Sequence, residues 1–180
     1  MESQHFSYLR LLQVSGADIK PDPTADWEAI YTTFQKCIGK GFESEHAVSS
    51  ATIASVLLQA GYDPTVEGNK AITLACNHGR IEVVRVLLRD GRADPGVNES
   101  YPLVLACNHD IELVKLLLTD RRVDPGACDN RAIIVAATWG SADVVKLLLS
   151  DKRVDHRARN NEALYRARYM GRTEIIEILR

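Results

Sequence analysis

Self-similarity at a fixed period constrains this chain more than any other feature, because a period of 20–50 residues decides the architecture before any single element is read. Three segments, VRVLLRDGRADPGVNES, VKLLLTDRRVDPGACDN and VKLLLSDKRVDHRARNN, are variants of one another, and SVLLQAGYDPTVEGN stands before them. The Asp of an Asp-Pro pair falls at Asp63, Asp94, Asp124 and Asp155, at spacings of 31, 30 and 31 residues. Its partners are Pro64, Pro95 and Pro125, and His156 breaks the series. A second landmark keeps the same phase: Ala71, Pro102, Ala132 and Ala163, each followed by Ile or Leu. Two independent landmarks in one period over four repeats exclude coincidence.

The physical content of one repeat follows from its pattern. From Ala71 the stretch AITLACNHG is rich in small residues and ends at Gly79, a helix stop. IEVVRVLLRD then places Ile81, Val84, Leu87 and Leu88 on one face of a second helix, with Val83 and Val86 widening it. GRADPGVNESY has turn formers and no apolar periodicity. Helix, turn, helix and loop recur, and each repeat carries an apolar face that only stacking can bury.

This repeat resembles the ankyrin repeat, whose usual length is about 33 residues. The likeness is strongest in GRIEVVRVLLRDGRADP and GSADVVKLLLSDKRVD. It implies an all-α solenoid of stacked helix-turn-helix repeats with short hairpin-like loops. The chain departs from the family in its first helix, where Thr-Pro-Leu-His is replaced by Lys70-Ala71-Ile72-Thr73, Tyr101-Pro102-Leu103-Val104, Arg131-Ala132-Ile133-Ile134 and Glu162-Ala163-Leu164-Tyr165. The family's Thr and His tie neighbouring turns together, so their loss implies more reliance on apolar packing, and the shorter period implies a shorter finger. One ankyrin-repeat domain over 1–180 is expected, with an N-terminal half-repeat over 1–23, an extended first repeat over 24–64 with an insertion around 39–50, regular repeats over 65–95, 96–125 and 126–156, and a capping repeat over 157–180. The start at Met1 and the polar last helix favour a free-standing protein; the alternative is a structural or regulatory segment of a larger multidomain protein.

Composition fits such a domain and narrows its partners. Hydrophobic residues make up 46% and charged residues 26%, the mix of a globular chain. A formal charge of −2 gives no reason to expect nucleic acid, which demands a clustered cationic excess. Residues 151–180 hold eight basic and five acidic side chains, a small asymmetry. No apolar run approaches the ~20 residues of a membrane span, and MESQHFSYLRLLQVSGAD lacks the basic leader and apolar stretch of a signal peptide. Four cysteines at 37, 76, 107 and 128 do not form a secreted disulfide framework, so an intracellular, cytoplasmic setting is expected.

No enzyme motif is present, and no cofactor is expected. Cys76-Asn77-His78 and Cys107-Asn108-His109 invite a zinc reading. Residues at i and i+2 of a helix point about 200° apart, however, so neither pair can chelate one ion. The cysteines stand where Ala137 stands one repeat later and read as packing residues, with no metal site. The resemblance implies instead that the residues just before the first-helix stop face a concave groove and vary with the ligand. These are Asn77, His78, Asn108, His109, Thr138, Trp139, Tyr169 and Met170. Lys70, Tyr101, Arg131 and Glu162, each just before its landmark, line the finger-to-groove edge. The expected function is binding an unidentified partner protein on that face, by a monomer.

Overall fold

The computed structural model describes residues 50–59 and 61–180. The half-repeat expected over 1–23, and the part of the extended first repeat before residue 50 with nearly all of its insertion, lie outside the described residues. The described residues carry nine helices and no strand: α1 (Ser50–Gln59), α2 (Val66–Asn77), α3 (Ile81–Asp90), α4 (Val97–Ala106), α5 (Ile111–Leu118), α6 (Ala127–Trp139), α7 (Ala142–Leu149), α8 (Ala158–Tyr169) and α9 (Thr173–Ile178). They are all-helical, as the repeat requires. The chain divides into two compact units, residues 1–93 and 94–180.

In the first unit α3 packs on both α1 and α2. Its stripe Val83, Val84 and Leu87 is buried against Leu57, Ile72 and Ala75 of a small core. In the second unit three helix pairs stack: α4 on α6 and α6 on α8 form one layer, α5 on α7 and α7 on α9 the other. Small residues let the first layer approach closely, with Ala106, Cys107, Ala132, Ala136, Ala137, Ala163 and Ala167 all buried. The second layer supplies the bulk: Leu113, Leu117, Val144, Val145 and Leu148 are likewise buried. The Gly stop of α2 is real, Gly79 having φ +63°. Where the next repeat lacks that Gly, Asp110 caps α5, its Oδ1 accepting the Glu112 N–H at 3.0 Å.

The loops take a form that spacing alone does not indicate. Each closes in three successive residues in the left-handed region, which stand just inside the bounds of α2, α4, α6 and α8: Glu67-Gly68-Asn69, Asn98-Glu99-Ser100, Cys128-Asp129-Asn130 and Arg159-Asn160-Asn161, all with φ between 50° and 67°. The finger is therefore a single left-handed turn rather than a hairpin. For a residue other than Gly this geometry costs about 1–2 kcal/mol, least for Asn and Asp. Accordingly Gly68, Asn69, Asn98, Asp129, Asn130, Asn160 and Asn161 take seven of the twelve positions. Ahead of each turn the repeating Asp folds back on its own backbone. Asp94 and Asp124 accept the N–H of Gly96 and Gly126, at 2.9 and 3.0 Å.

Two devices lock adjacent repeats together. The third left-handed residue presents a side-chain acceptor to the next loop: Ser100 Oγ accepts the Asp124 N–H at 2.8 Å, and Asn130 Oδ1 accepts the Asp155 N–H at 2.6 Å. Apolar packing is thus only half of what replaces the missing Thr and His ties. The second device is an Asp-x-Arg clamp. Asp90, Asp120 and Asp151 each take two guanidinium N–H groups, from Arg92, Arg122 and Arg153, at 2.7–3.0 Å. The clamped Arg92 reaches back to the Leu58 carbonyl at 3.3 Å, and Arg153 to that of Val123 at 3.0 Å. The close approach also demands glycine: a Cβ at Gly126 would lie 2.4 Å from the Arg153 carbonyl oxygen.

Two substitutions separate these effects. Asn130→Gly keeps the left-handed backbone but removes the acceptor, and is expected to lower stability by about 1 kcal/mol. Asn130→Ala adds the left-handed penalty and should lower it by roughly 2–3 kcal/mol; urea unfolding of both variants checks the order. Gly126→Ala should destabilise by about 1–3 kcal/mol through overpacking in the same assay.

Candidate protein-binding surface

The residues expected at the partner face sit at three registers of each repeat, one just before the landmark and two in succession at the end of the first helix. In the first unit Lys70 is half-buried and paired with Glu67, and Asn77 and His78 are exposed at the end of α2. In the second unit the register before the landmark holds Tyr101, Arg131 and Glu162. The Arg131 guanidinium stands 6.0 Å from the centroid of the Tyr101 ring, a cation–π pair that orients both side chains on the surface. Glu162 is half-buried and accepts from Arg166 at 3.1 Å, with Arg159 at 3.8 Å; Arg159 also approaches Asp129 at 3.6 Å. This edge is mixed in charge and internally satisfied.

At the helix ends, Asn108 is exposed and His109 half-buried. Trp139, the last residue of α6, is 57% exposed, and its carbonyl accepts an Arg172 N–H at 3.4 Å. Met170 holds the same register and is half-buried. Thr138 departs from the expectation. It is 7% exposed and its hydroxyl donates to the Ile134 carbonyl at 2.7 Å, so it has no free group to offer a partner. The physical reason is its small size: a threonine hydroxyl can turn back onto its own helix, where Asn108 at the same register cannot. Tyr169 is 77% exposed, but Tyr165, absent from the sequence-derived set, is exposed beside it on the same helix.

The family model for ankyrin repeats (three copies) matches residues 45–129 and 103–180. The chain belongs to the ankyrin-repeat family. Neither a curated protein nor a solved structure gives a match. Ankyrin repeats are in general protein–protein interaction modules and typically not enzymes.

The remaining polar features of this ankyrin chain serve the scaffold. Cys76 and Cys107 are fully buried, and burial pushes both thiols up, that of Cys107 to about 12, so they stay protonated packing groups. A cleft of about 600 Å³ lies between adjacent loops, lined by Glu99, Arg122, Asp124 and Asp129 among others. Arg122 is committed to Asp120 and Asp124 to Gly126, which leaves that cleft without a free recognition pair. No helix among the described residues is long and apolar enough to cross a membrane.

The clamps also set an acid limit. The arginine hydrogen bonds hold the Asp90, Asp120 and Asp151 carboxyls below the ordinary value of 3.8, Asp151 at about 2. A folded value below the unfolded one means that the clamp's contribution is complete above about pH 4 and is lost as the pH falls towards 2. Asp151→Asn is expected to lower stability at pH 7 by at most ~1 kcal/mol, since the pair is partly exposed. Its deficit relative to the parent chain should shrink between pH 4 and pH 2.5, read from urea midpoints across that range.

Proposed function

We propose that this chain binds a partner protein as a monomeric, non-catalytic module inside the cell, and that the second unit contributes a surface built from Tyr101, Arg131, Asn108, His109 and Trp139. The observation that carries this is Trp139: a large aromatic residue held in the open at a helix end, where its backbone carbonyl is fixed by Arg172. Burying such a side chain on a partner releases more free energy than burying any neighbour, which is why Trp, Tyr and Arg dominate interface energetics. The Tyr101–Arg131 pair supplies a second anchor already oriented before binding, so little side-chain entropy is lost on association. In the first unit, Lys70, Asn77 and His78 extend the reading as polar contacts, and Met170 adds a half-buried apolar edge in the second. A site of standard size would cover about 800 Å² on each partner.

Affinity capture from the native lysate, with the bound proteins identified by mass spectrometry, tests the surface. Trp139→Ala with Tyr101→Ala is expected to weaken capture of the partner by at least ~30-fold, the loss of one hot spot of about 2 kcal/mol, at an unchanged melting temperature. Retention of every captured protein by the double variant removes the assignment.

A further inference from the structure

The outward face of the last repeat breaks the pattern that its predecessors keep. Two residues after the landmark, Val104 is 6% and Ile134 8% exposed because the next repeat covers them, whereas Tyr165 is 63% exposed. Five residues after it stand the fully buried Cys107 and Ala137, and then the exposed Arg168. At the loop glycine the sequence runs Gly96, Gly126, Arg157. A Cβ at the first two would lie 2.3 and 2.4 Å from the carbonyl oxygen of the following loop, so a third loop of the same kind cannot seat itself over Arg157. The inward positions are unchanged, since Ala163 and Ala167 are buried as Ala132 and Ala136 are. The stripe that would meet a further repeat has changed, from small and aliphatic to tyrosine and arginine.

That stripe has a definite chemistry. Tyr165 and Tyr169 are one helical turn apart and both exposed, with the exposed Arg168 next to Tyr169 in sequence. The carboxylates of α8 and α9 are engaged elsewhere: Glu162 with Arg159 and Arg166, Glu174 with Lys146, and Glu177 with Arg180. Arg157 and Arg168 make no salt bridge among the described residues. Asn161 holds the same left-handed geometry as Asn130, with φ 63° against 61°. Asn130 uses its Oδ1 to accept a backbone N–H from the neighbouring loop. The last repeat therefore retains an acceptor for a backbone N–H but surrounds it with cations and aromatic rings.

We propose that Arg157, Asn161, Tyr165, Arg168 and Tyr169 form a second interaction surface, which binds an extended acidic segment of a partner protein. Asn161 accepts a backbone N–H of that segment, Arg157 and Arg168 take its carboxylates, and its apolar side chains lie on the two tyrosines. Charge complementarity selects this occupant. The two cations without carboxylate partners suit carboxylates spaced along a peptide, while a chain of net charge −2 lacks the broad field that a nucleic acid demands. This surface shares no residue with the one centred on Trp139.

The test uses the full chain and a fluorescein-labelled decamer of alternating Glu and Leu, followed by fluorescence anisotropy, with a Lys-Leu decamer and a uridine decamer as alternatives. Saturable binding of the acidic peptide is expected, weaker in 0.5 M than in 0.05 M salt. Arg168→Glu, or Tyr165→Ala with Tyr169→Ala, should reduce the affinity at least about 10-fold, whereas Tyr165→Phe with Tyr169→Phe and Trp139→Ala should leave it unchanged. All these side chains are exposed, and equal melting temperatures by circular dichroism exclude unfolding as the cause of a loss. No saturable binding by 1 mM protein, equal or tighter binding of the Lys-Leu or uridine decamer, or affinity lost with Trp139→Ala and kept in the face variants overturns the proposal. The last of these outcomes would leave the Trp139 surface standing; a failure there, in turn, has no bearing on this face.

Discussion

Holding three successive residues in the left-handed region is a conformation that an isolated chain avoids, and this chain adopts it at the head of the first helix in all four described repeats. The local cost, several kcal/mol per loop at about 1–2 kcal/mol for each residue other than Gly, can only be offset by what the loop touches. In the second unit the compensation is visible atom by atom. The left-handed turn is closed by its own backbone bond, Asn130 N–H to the Gly126 carbonyl at 3.0 Å. Its last side chain then reaches the backbone of the next loop. The interlock makes each loop's geometry conditional on its neighbour, which is the nearest-neighbour coupling expected of a solenoid. The Asp-x-Arg clamp adds a second link of the same kind through the Arg153 bond to Val123.

The helices were legible because burial repeats with the landmarks. Ala71, Ala132 and Ala163 are buried, as their place at the head of a small-residue helix implies, and the Leu-rich runs bury the expected stripe. The loop was not legible in the same way, although its signals are in the sequence. Asn69, Ser100, Asn130 and Asn161 stand two residues before each landmark, and Asp90-x-Arg92, Asp120-x-Arg122 and Asp151-x-Arg153 keep the period. Both patterns are polar, and polar residues in a loop are explained equally well by solvent. Only the coordinates show that the Asn oxygen and the guanidinium are aimed at backbone groups of the neighbour. Asp120, as an example, reads as one more surface acid until Arg122 is seen folded onto it.

The surface was legible in register but not in exposure. Trp139 and Thr138 are adjacent in sequence, and the family resemblance assigned both to the same face. The structure leaves one in the open and folds the other's hydroxyl onto Ile134. Tyr165 was missed for the opposite reason. Its register is a buried one in the preceding repeats, where Val104 and Ile134 sit under the next helix pair. A rule drawn from the repeats assigns it to the core, and the rule fails because no helix pair among the described residues covers α8 on that side.

That failure shows where information can reside in a repeating fold. At interior repeats the outward stripe is fixed by packing: Cys107 and Ala137 are fully buried, and a residue larger than Gly126 would collide with the Arg153 carbonyl. Such positions cannot encode a partner. The constraint lapses at the last repeat, where Arg157, Tyr165 and Arg168 replace Gly, aliphatic and small residues at once. If solubility alone governed an uncovered face, charged residues with short apolar content would suffice. Two tyrosines, one turn apart and exposed at 63% and 77%, oppose that requirement, because each leaves a large ring in water. Their joint presence beside unneutralised arginines is therefore better accounted for by a binding surface than by a cap, and the same physical test, exposure against register, distinguishes Trp139 from Thr138 in the interior.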